Sequence, residues 1–462
     1  MNKPLPPSRG ARTPGLTIVD GPREVAAQAL SRVLDDGAWA QPALSAALDG
    51  SGFSERDKGL VTELFYGALR FAAPLEASLL RAASKPQKGL DQRMRPHLLI
   101  AAYQLQHLSD RIPAHAAVSA AVAAIKRVRP GLDGFANALL RHLGSPLHQM
   151  LTPQSSLFEV CTAWGVPMAL GRAVTASLPP LEHQAAIAGL QARPTTWALF
   201  FAPPTTEGLV PHPFVPRMWA LGGGRVDGQE GFKDGAFVVM DPGSVLSALA
   251  LSPAAGARVL DLCAAPGGKS MILADAVADT GRVVAVELQR RRAARIEENA
   301  TRLGMRKRVE VKVVDANDLG DADRADAVLL DAPCTGLGTT RRKPEIARRH
   351  TDADVAASAT LQEQLFDKAA SLTKEGGTLV YSVCSPLPEE GSLQVARFLT
   401  RHPDFEREHL SATLPFMPAS AFDEHGQLRL IPHLHDADAF FVARLRRRLG
   451  AAAQAPSTTD PG

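Results

Sequence analysis

Cysteine is scarce in this chain: its 462 residues hold four, at 161, 263, 334 and 384, and no two of them form a C-x-x-C pair. That spacing excludes a disulfide framework and a zinc knuckle, and it predicts reduced thiols in a cytoplasmic protein without a metal site. Long apolar runs are lacking as well, so no membrane-spanning segment is expected. The first twenty residues carry Pro4, Pro6, Pro7, Arg9, Arg12 and Pro14 without a continuous apolar core, which predicts no secretory signal. Charge of one sign is also missing: 51 Lys and Arg face 48 Asp and Glu, a formal +3. This balance argues neither for nor against nucleic acid, because a near-neutral chain can carry a local basic patch. What remains is the composition of a soluble globular protein, 45% hydrophobic and 21% charged, and too long for one core. Two or three domains are expected.

From about Gly21 to Gly144 the pattern is helical. Pro22 stands where a helix would begin, and Val25, Ala26, Ala29, Leu30, Val33 and Leu34 recur on one face. Segments 53–69, 94–108 and 113–128 repeat the rule, predicting an all-α bundle of six or seven helices. The stretches Arg111-Ile-Pro-Ala-His-Ala-Ala-Val118 and Gly134-Phe-Ala-Asn-Ala-Leu-Leu-Arg141 resemble the RNA-binding bundle of NusB-type antitermination factors. Within them, His115 and Asn137 read as helix-packing residues rather than RNA contacts. Residues 145–240 change character: Pro203, Pro204, Pro211, Pro213, Pro216 and Gly222–Gly224 interrupt long helices, although 155–178 and 181–191 still read as helical. A connecting region with a small α+β subdomain is expected there. A disordered tail is expected over 449–462.

Across 241–448 strands and helices alternate. Strands are predicted at 259–262, 282–287, 309–315, 325–331, 377–382, 428–431 and 440–445, with helices between, which reads as a doubly wound, mostly parallel sheet. The first strand runs into Asp261-Leu-Cys-Ala-Ala-Pro-Gly-Gly-Lys269, which is neither a G-x-G-x-x-G turn nor a P-loop, so a pyrophosphate or triphosphate is not its natural ligand. Gly267 and Gly268 still allow backbone to approach a ligand closely. Glu287, at the end of the second strand, is placed to accept both hydroxyls of a ribose. Asp315 is expected to end the third strand, near an adenine amino group, and Asp331 the fourth. Acids at successive strand ends around a glycine turn are hard to explain as surface, and the set looks like the S-adenosylmethionine site of a class I methyltransferase. Lys269 would hold the methionine carboxylate or orient Asp331.

Two further strands, 325–331 and 377–382, each lead into a cysteine, Cys334 and Cys384. A thiol reacts as thiolate, so two thiols in one crevice point to attack on an electrophilic carbon. From the residues alone the two are equivalent.

Together, Asp261–Lys269, Asp331-Ala-Pro-Cys334 and Val383-Cys-Ser-Pro-Leu-Pro-Glu-Glu390 resemble the RNA cytosine-5 methyltransferases of the Sun/RsmB type, whose bacterial ribosomal members carry a NusB-like N-terminal domain. The resemblance covers about 21–448. It implies a multidomain chain: a NusB-like all-α RNA-binding domain (21–144), a linker and small α+β subdomain (145–240) and a Rossmann-like α/β methyltransferase domain (241–448). It also implies methylation of carbon 5 of a cytidine in RNA, most naturally 16S ribosomal RNA, by a monomer. Residues matching the cofactor contacts are Cys263, Ala264, Ala265, Pro266, Gly267, Gly268, Lys269, Glu287, Asp315 and Asp331. By the same match Cys384 is the nucleophile, Cys334 assists product release, and Asp331 is placed to assist at ring nitrogen 3. In DNA cytosine-5 methyltransferases the Pro-Cys residue is the nucleophile instead, so only this resemblance favours Cys384. The chain departs from the family at Glu287, more usually aspartate, at Ser382-Val383, where a threonine usually precedes the cysteine, and at Thr335, where serine is common.

The segment Arg341-Arg-Lys-Pro-Glu-Ile-Ala-Arg-Arg349 is strongly basic, and Arg341, Arg342, Lys343, Arg348 and Arg349 are expected to neutralise RNA phosphates beside the crevice. Arg290–Arg292 reads as plain surface. Two alternatives stay open: the same chemistry on transfer RNA, and a non-catalytic ribosome-assembly or antitermination protein with a vestigial cofactor fold.

Overall fold

The computed structural model describes residues 21–83 and 89–450. The reading of the first twenty residues lies outside that range, as does the expected tail from residue 451. Gly450, which was placed in the tail, donates its N–H to Glu375 Oε2 at 3.2 Å. The chain divides into two compact units, Met1–Met150 and Leu151–Gly462.

The first unit contains seven α-helices among the described residues: α1 (Pro22–Leu34), α2 (Ala40–Leu48), α3 (Glu55–Arg70), α4 (Ala72–Ala82), α5 (Arg95–His107), α6 (Ala114–Val128) and α7 (Asp133–Arg141). Local chemistry starts α3, where the Ser54 side chain accepts from Asp57 N–H and acids occupy the first turn. Helix α5 is the centre of the bundle, buried from Pro96 through Gln104. Leu30, Leu64 and Phe65 are wholly buried, and each contributes roughly 1.5–3 kcal/mol by leaving water. The buried stripe of α6 is Ala117, Ala121, Ala124 and Ile125. Two positions before that stripe begins, His115 turns to the opposite side and is exposed, which corrects its reading as a packing residue. Asn137 is half-buried and accepts from Arg141 Nε at 3.2 Å.

The second unit begins with α8 (Leu157–Trp164), α9 (Met168–Thr175) and α10 (His183–Gly189). A capping box of Ser156 and Glu159 opens α8. The chain then turns through Gly165-Val166-Pro167, so the expected helix over 155–178 is two helices. A four-stranded antiparallel sheet follows, built from β1 (Trp197–Phe200), β2 (Val210–Pro211), β3 (Met218–Ala220) and β4 (Phe237–Val239) in the order β2-β3-β1-β4. This sheet is not a detached connector. Trp197, Leu199, Met218 and Val238 share a core with Val245 of α11 (Pro242–Leu251) and with the large sheet.

That large sheet runs β10-β12-β9-β8-β5-β6-β7, with β11 paired to β12. Its strands are β5 (Arg258–Leu262), β6 (Arg282–Val286), β7 (Val309–Lys312), β8 (Ala325–Asp331), β9 (Thr373–Val383), β10 (Phe405–Glu408), β11 (Leu428–Leu430) and β12 (Phe440–Arg447). Strands β9 through β7 are parallel to their neighbours, whereas β12 is antiparallel to β9. Helices α12 (Gly268–Ala276), α13 (Arg290–Arg302), α14 (Asp352–Leu372) and α15 (Ser392–Arg401) cross between strands, and the short α16 (Pro432–His435) precedes β12. The apolar runs are buried on both faces by alternation. Val259, Val283, Ala285, Ala327 and Leu329 pack on the α12 side, while Leu260, Val284, Val328 and Leu330 pack on the α14 side. Strand β10 escapes sequence reading because three of its four residues are charged and only Phe405 is buried deeply. In-register pairing places the carboxyl ends of β5, β6, β8 and β9 side by side, with Leu262 opposite Val286 and Asp331 opposite Ser382.

Candidate active site

At the end of β5, Asp261 is fully buried; its Oδ2 accepts from Ser270 Oγ at 2.5 Å while Oδ1 has no partner. Burial pushes its carboxyl up to about 7. The loop from Cys263 to Gly267 then turns into α12. Cys263 has φ 62°, and burial, followed by the charges of Asp331, Asp261 and Glu287, pushes its thiol up to about 12. Gly267 caps α12 at φ 101°, a conformation that L side chains rarely adopt, and a Cβ on Gly268 would stand 2.7 Å from Met240 Sδ, so a side chain there would have to displace that thioether. Ala264, Ala265 and Pro266 complete the turn and, with Gly268, Lys269 and Met240, line a cavity of about 280 Å³. Neither Glu287 nor Asp315 lines that cavity.

Glu287 follows β6 and is 3% exposed. Its Oε1 accepts from Gln289 N–H at 3.0 Å and from Arg292 Nη1 at 3.4 Å, and its Oε2 is buried without a partner. A buried carboxylate oxygen with nothing to accept is costly, so it marks a place for a hydroxyl donor from a ligand. Arg292 is exposed, as its reading as surface expects, and from there its Nη2 also donates to Ala265 O at 3.3 Å, tying the acid to the glycine turn. Three arginines in the first turn of α13, where the helix dipole disfavours cations, were the available signal. Asp315 departs from expectation: β7 ends at Lys312, and Asp315 instead caps the turn 316–318, accepting from Asn317 N–H at 2.9 Å and Asn317 Nδ2 at 3.0 Å.

Asp331 ends β8 as expected, and its two oxygens are both engaged: Lys269 Nζ donates to Oδ2 at 2.7 Å and Ser382 Oγ donates to Oδ1 at 2.7 Å. Of the two alternatives for Lys269, the structure shows the ion pair with Asp331. Burial pulls the ammonium down, but Asp331, Asp261 and Cys384 together hold it above its ordinary value. Beyond these groups the two thiols meet, with Cys334 Sγ and Cys384 Sγ 3.4 Å apart. The loop after Cys334 passes tightly across β9: Gly338 N–H donates to Cys384 O at 3.0 Å, and a Cβ at Gly338 would fall 1.9 Å from Ala439 O. Only glycine fits there.

Beneath Cys334 lies a buried group that sequence reasoning quoted without giving it a role. Glu390, wholly buried, accepts from Thr335 N–H at 2.8 Å, Thr335 Oγ1 at 2.6 Å and Gln362 Nε2 at 3.2 Å.

The basic loop needs a correction. Arg341 is 3% exposed and donates to Asp436 at 2.7 Å and to Ala437 O at 3.0 Å. Arg342 is held by Asp241 at 2.8 Å and Asp438 at 3.1 Å. Both side chains are structural ties rather than phosphate contacts, because the charge that would attract RNA is met by Asp436, Asp241 and Asp438. Lys343 and Arg348 are exposed and Arg349 is half-buried. Among the described residues no group of three or more His, Cys, Asp or Glu could hold a metal ion, and no helix is long and apolar enough to cross a membrane.

The arrangement joins a glycine turn with an open acid, suited to a ribose-bearing ligand, to a pair of thiols beside a Lys–Asp pair, suited to attack on a polarised ring. Residues 248–446 match the family described as 16S rRNA methyltransferase RsmB/F, and residues 20–145 match the NusB family. The chain is 33% identical to the ribosomal RNA small subunit methyltransferase B of Klebsiella pneumoniae, over 92% of this chain and 98% of that protein. It is 29% identical to the probable ribosomal RNA small subunit methyltransferase B of Bacillus subtilis, again over 92% and 98%. The solved structure of the protein PH0851 superposes with a TM-score of 0.72 at 24% identity, covering 93% of this chain and 99% of that one.

Proposed function

Because the chain belongs to the RsmB/F family of S-adenosylmethionine-dependent ribosomal RNA methyltransferases, we propose that it methylates carbon 5 of a cytidine in 16S ribosomal RNA, through a covalent bond from Cys384 to carbon 6. The observation that carries this reading is the 3.4 Å approach of two thiols at adjoining strand ends, next to the Lys269–Asp331 pair. Carbon 5 of cytosine is too weak a nucleophile to take a methyl group unaided. Addition of the Cys384 thiolate at carbon 6 forms the S–C6 bond and moves the C5=C6 electron pair onto carbon 5. Nitrogen 3 then needs a proton, which the Lys269 ammonium gives up through Asp331. Loss of the carbon 5 proton later re-forms C5=C6 and expels the thiolate, and Cys334 stands where it assists that release.

S-adenosylmethionine, when bound, supplies an electrophilic methyl group on a sulfonium. The residues that would hold it fit: Glu287 Oε2 offers a buried open acceptor for ribose, and Cys263 through Gly268 form the close turn. Asp315 is kept as a candidate on the adenine side. The target base must leave its stack to reach the thiols. We read residues 21–144 as the RNA-recognition module and Lys343, Arg348 and Arg349 as the phosphate-facing part of the basic loop. Four cysteines without a disulfide accord with a reducing, cytoplasmic setting.

The test is methyl transfer from labelled S-adenosylmethionine to total RNA by the purified full chain, followed by mapping of the modified base. Label at carbon 5 of a cytidine in 16S RNA is expected. Label confined to transfer RNA would move the substrate, and no label would leave a binding protein.

A further inference from the structure

The 3.4 Å contact between Cys334 Sγ and Cys384 Sγ does not say which sulfur holds the proton. Their surroundings do. Glu390 approaches the Cys334 loop from beneath, and the loop is gripped on both sides of the cysteine. Gln362 Nε2 donates to Pro333 O at 3.0 Å, and Thr335 N–H donates to Glu390 Oε1 at 2.8 Å. Thr335 Oγ1 adds a 2.6 Å bond to Oε2, and Gln362 Nε2 reaches Oε1 at 3.2 Å. Among the described residues the donors to this carboxylate, which has no exposure, are therefore neutral groups. Burying a charge with only neutral donors is expensive. A glutamine would fill the same place, accept from Thr335 N–H and donate to Thr335 Oγ1, with no charge to bury. Support of the loop alone does not call for an acid.

Lys269 brings a cation to the same crevice: its Nζ donates to Asp331 Oδ2 at 2.7 Å, and the negative form of Cys384 helps raise it, after Asp331 and Asp261. The two cysteines therefore have different charged neighbours, Glu390 gripping the loop of Cys334 and Lys269 being raised by Cys384.

We propose that Glu390 is a positioning residue that makes the two thiols unequal: it clamps Cys334 through Thr335, and its charge keeps the proton on Cys334, directed at Cys384 Sγ, so that Cys384 carries the thiolate. The proposal rests on the covalent mechanism above. Other groups acting on Cys334 are Cys384 itself, Asp331 from β8 and Tyr381 from β9, with Lys269 of α12 reached across Asp331. The hydrogen bond to Cys384 comes first, then burial, then the charges of Cys384, Glu390 and Asp331, and all raise Cys334 well above the ordinary thiol range. In this arrangement Cys334 donates a hydrogen bond to the nucleophile before attack.

The test is competitive alkylation by iodoacetamide across pH 6–10 on the full chain, with each cysteine followed by peptide mapping. In the wild type Cys384 is expected to react at lower pH than Cys334; the reverse order overturns the proposal whether or not any variant folds. Glu390→Gln should speed Cys334 alkylation at pH 8 by about tenfold, as loss of a neighbouring negative charge shifts a thiol by about one pH unit or more. Thr335→Ala removes the Oγ1 bond of the clamp, leaves the backbone bond and the Glu390 charge, and should not speed it. Equal acceleration in both variants would mean a loosened loop, and no acceleration in Glu390→Gln would mean the charge is idle; either result sinks the idea. Wild-type protein is also offered RNA containing 5-fluorocytidine, whose fluorine cannot leave as a proton does. Failure to trap any adduct there counts against the covalent mechanism, separately from the role of Glu390.

Discussion

Two loops of the second unit, 263–269 after β5 and 335–349 after β8, both lie beside the thiols, and they end in opposite states. Around the first, polar valence is left open: Glu287 Oε2 and Asp261 Oδ1 are buried with nothing to accept. In the second, the arginine charges are paired: Arg341 with Asp436, and Arg342 with Asp241 and Asp438. An open buried acceptor is destabilising until a ligand satisfies it, whereas a closed ion pair holds a loop in place. The first loop therefore has the character of a binding site and the second that of a scaffold that carries Cys334 and presses Gly338 against Cys384.

Four substitutions would break or sharpen this contrast. The largest effect is expected at the chemistry between the loops: Cys384→Ala should lower methyl transfer on the order of a thousandfold or more, measured with labelled cofactor, while binding of that cofactor stays within a few-fold. Next is the closed loop. Arg342→Ala leaves Asp241 and Asp438 without their cation and should cost about 3 kcal/mol or more in a denaturant titration, leaving the salt dependence of RNA binding unchanged. Were stability intact and the salt slope reduced, the loop would be an RNA surface after all. On the open side, Glu287→Ala should weaken S-adenosylmethionine roughly ten- to a hundredfold by calorimetry, about 1.5–3 kcal/mol, with the fold preserved. Unchanged affinity would remove Glu287 from the site. The smallest effect belongs to Lys343→Ala, an exposed member of the basic loop, which should weaken RNA a few-fold and reduce the logarithmic salt slope by about 1.

The same contrast explains what was legible in the chain before its structure. Doubly buried strands announce themselves as apolar runs, and Asp261, Glu287, Asp331 and the two cysteines stand at or just beyond their ends, so the crevice follows from strand order. Asp315 was misplaced because β7 stops at Lys312, two residues before the apolar positions end at Val314. The basic loop misled because a run of arginines has the same composition whether it faces RNA or buried acids; Asp241 and Asp436 are about a hundred residues away in the chain. Glu390 was inside a quoted motif, yet only its distances to Thr335 and Gln362 reveal a clamp. Likewise β10, three charged residues in four, becomes a strand only because β12 offers its edge.

The most direct test of the covalent account compares two cysteine variants with RNA on a denaturing gel. Cys334→Ala should attack and transfer the methyl group but release slowly, leaving a protein–RNA adduct that survives denaturation, whereas Cys384→Ala should leave none. A stable adduct from Cys384→Ala, with none from Cys334→Ala, would contradict the assignment of Cys384 as nucleophile.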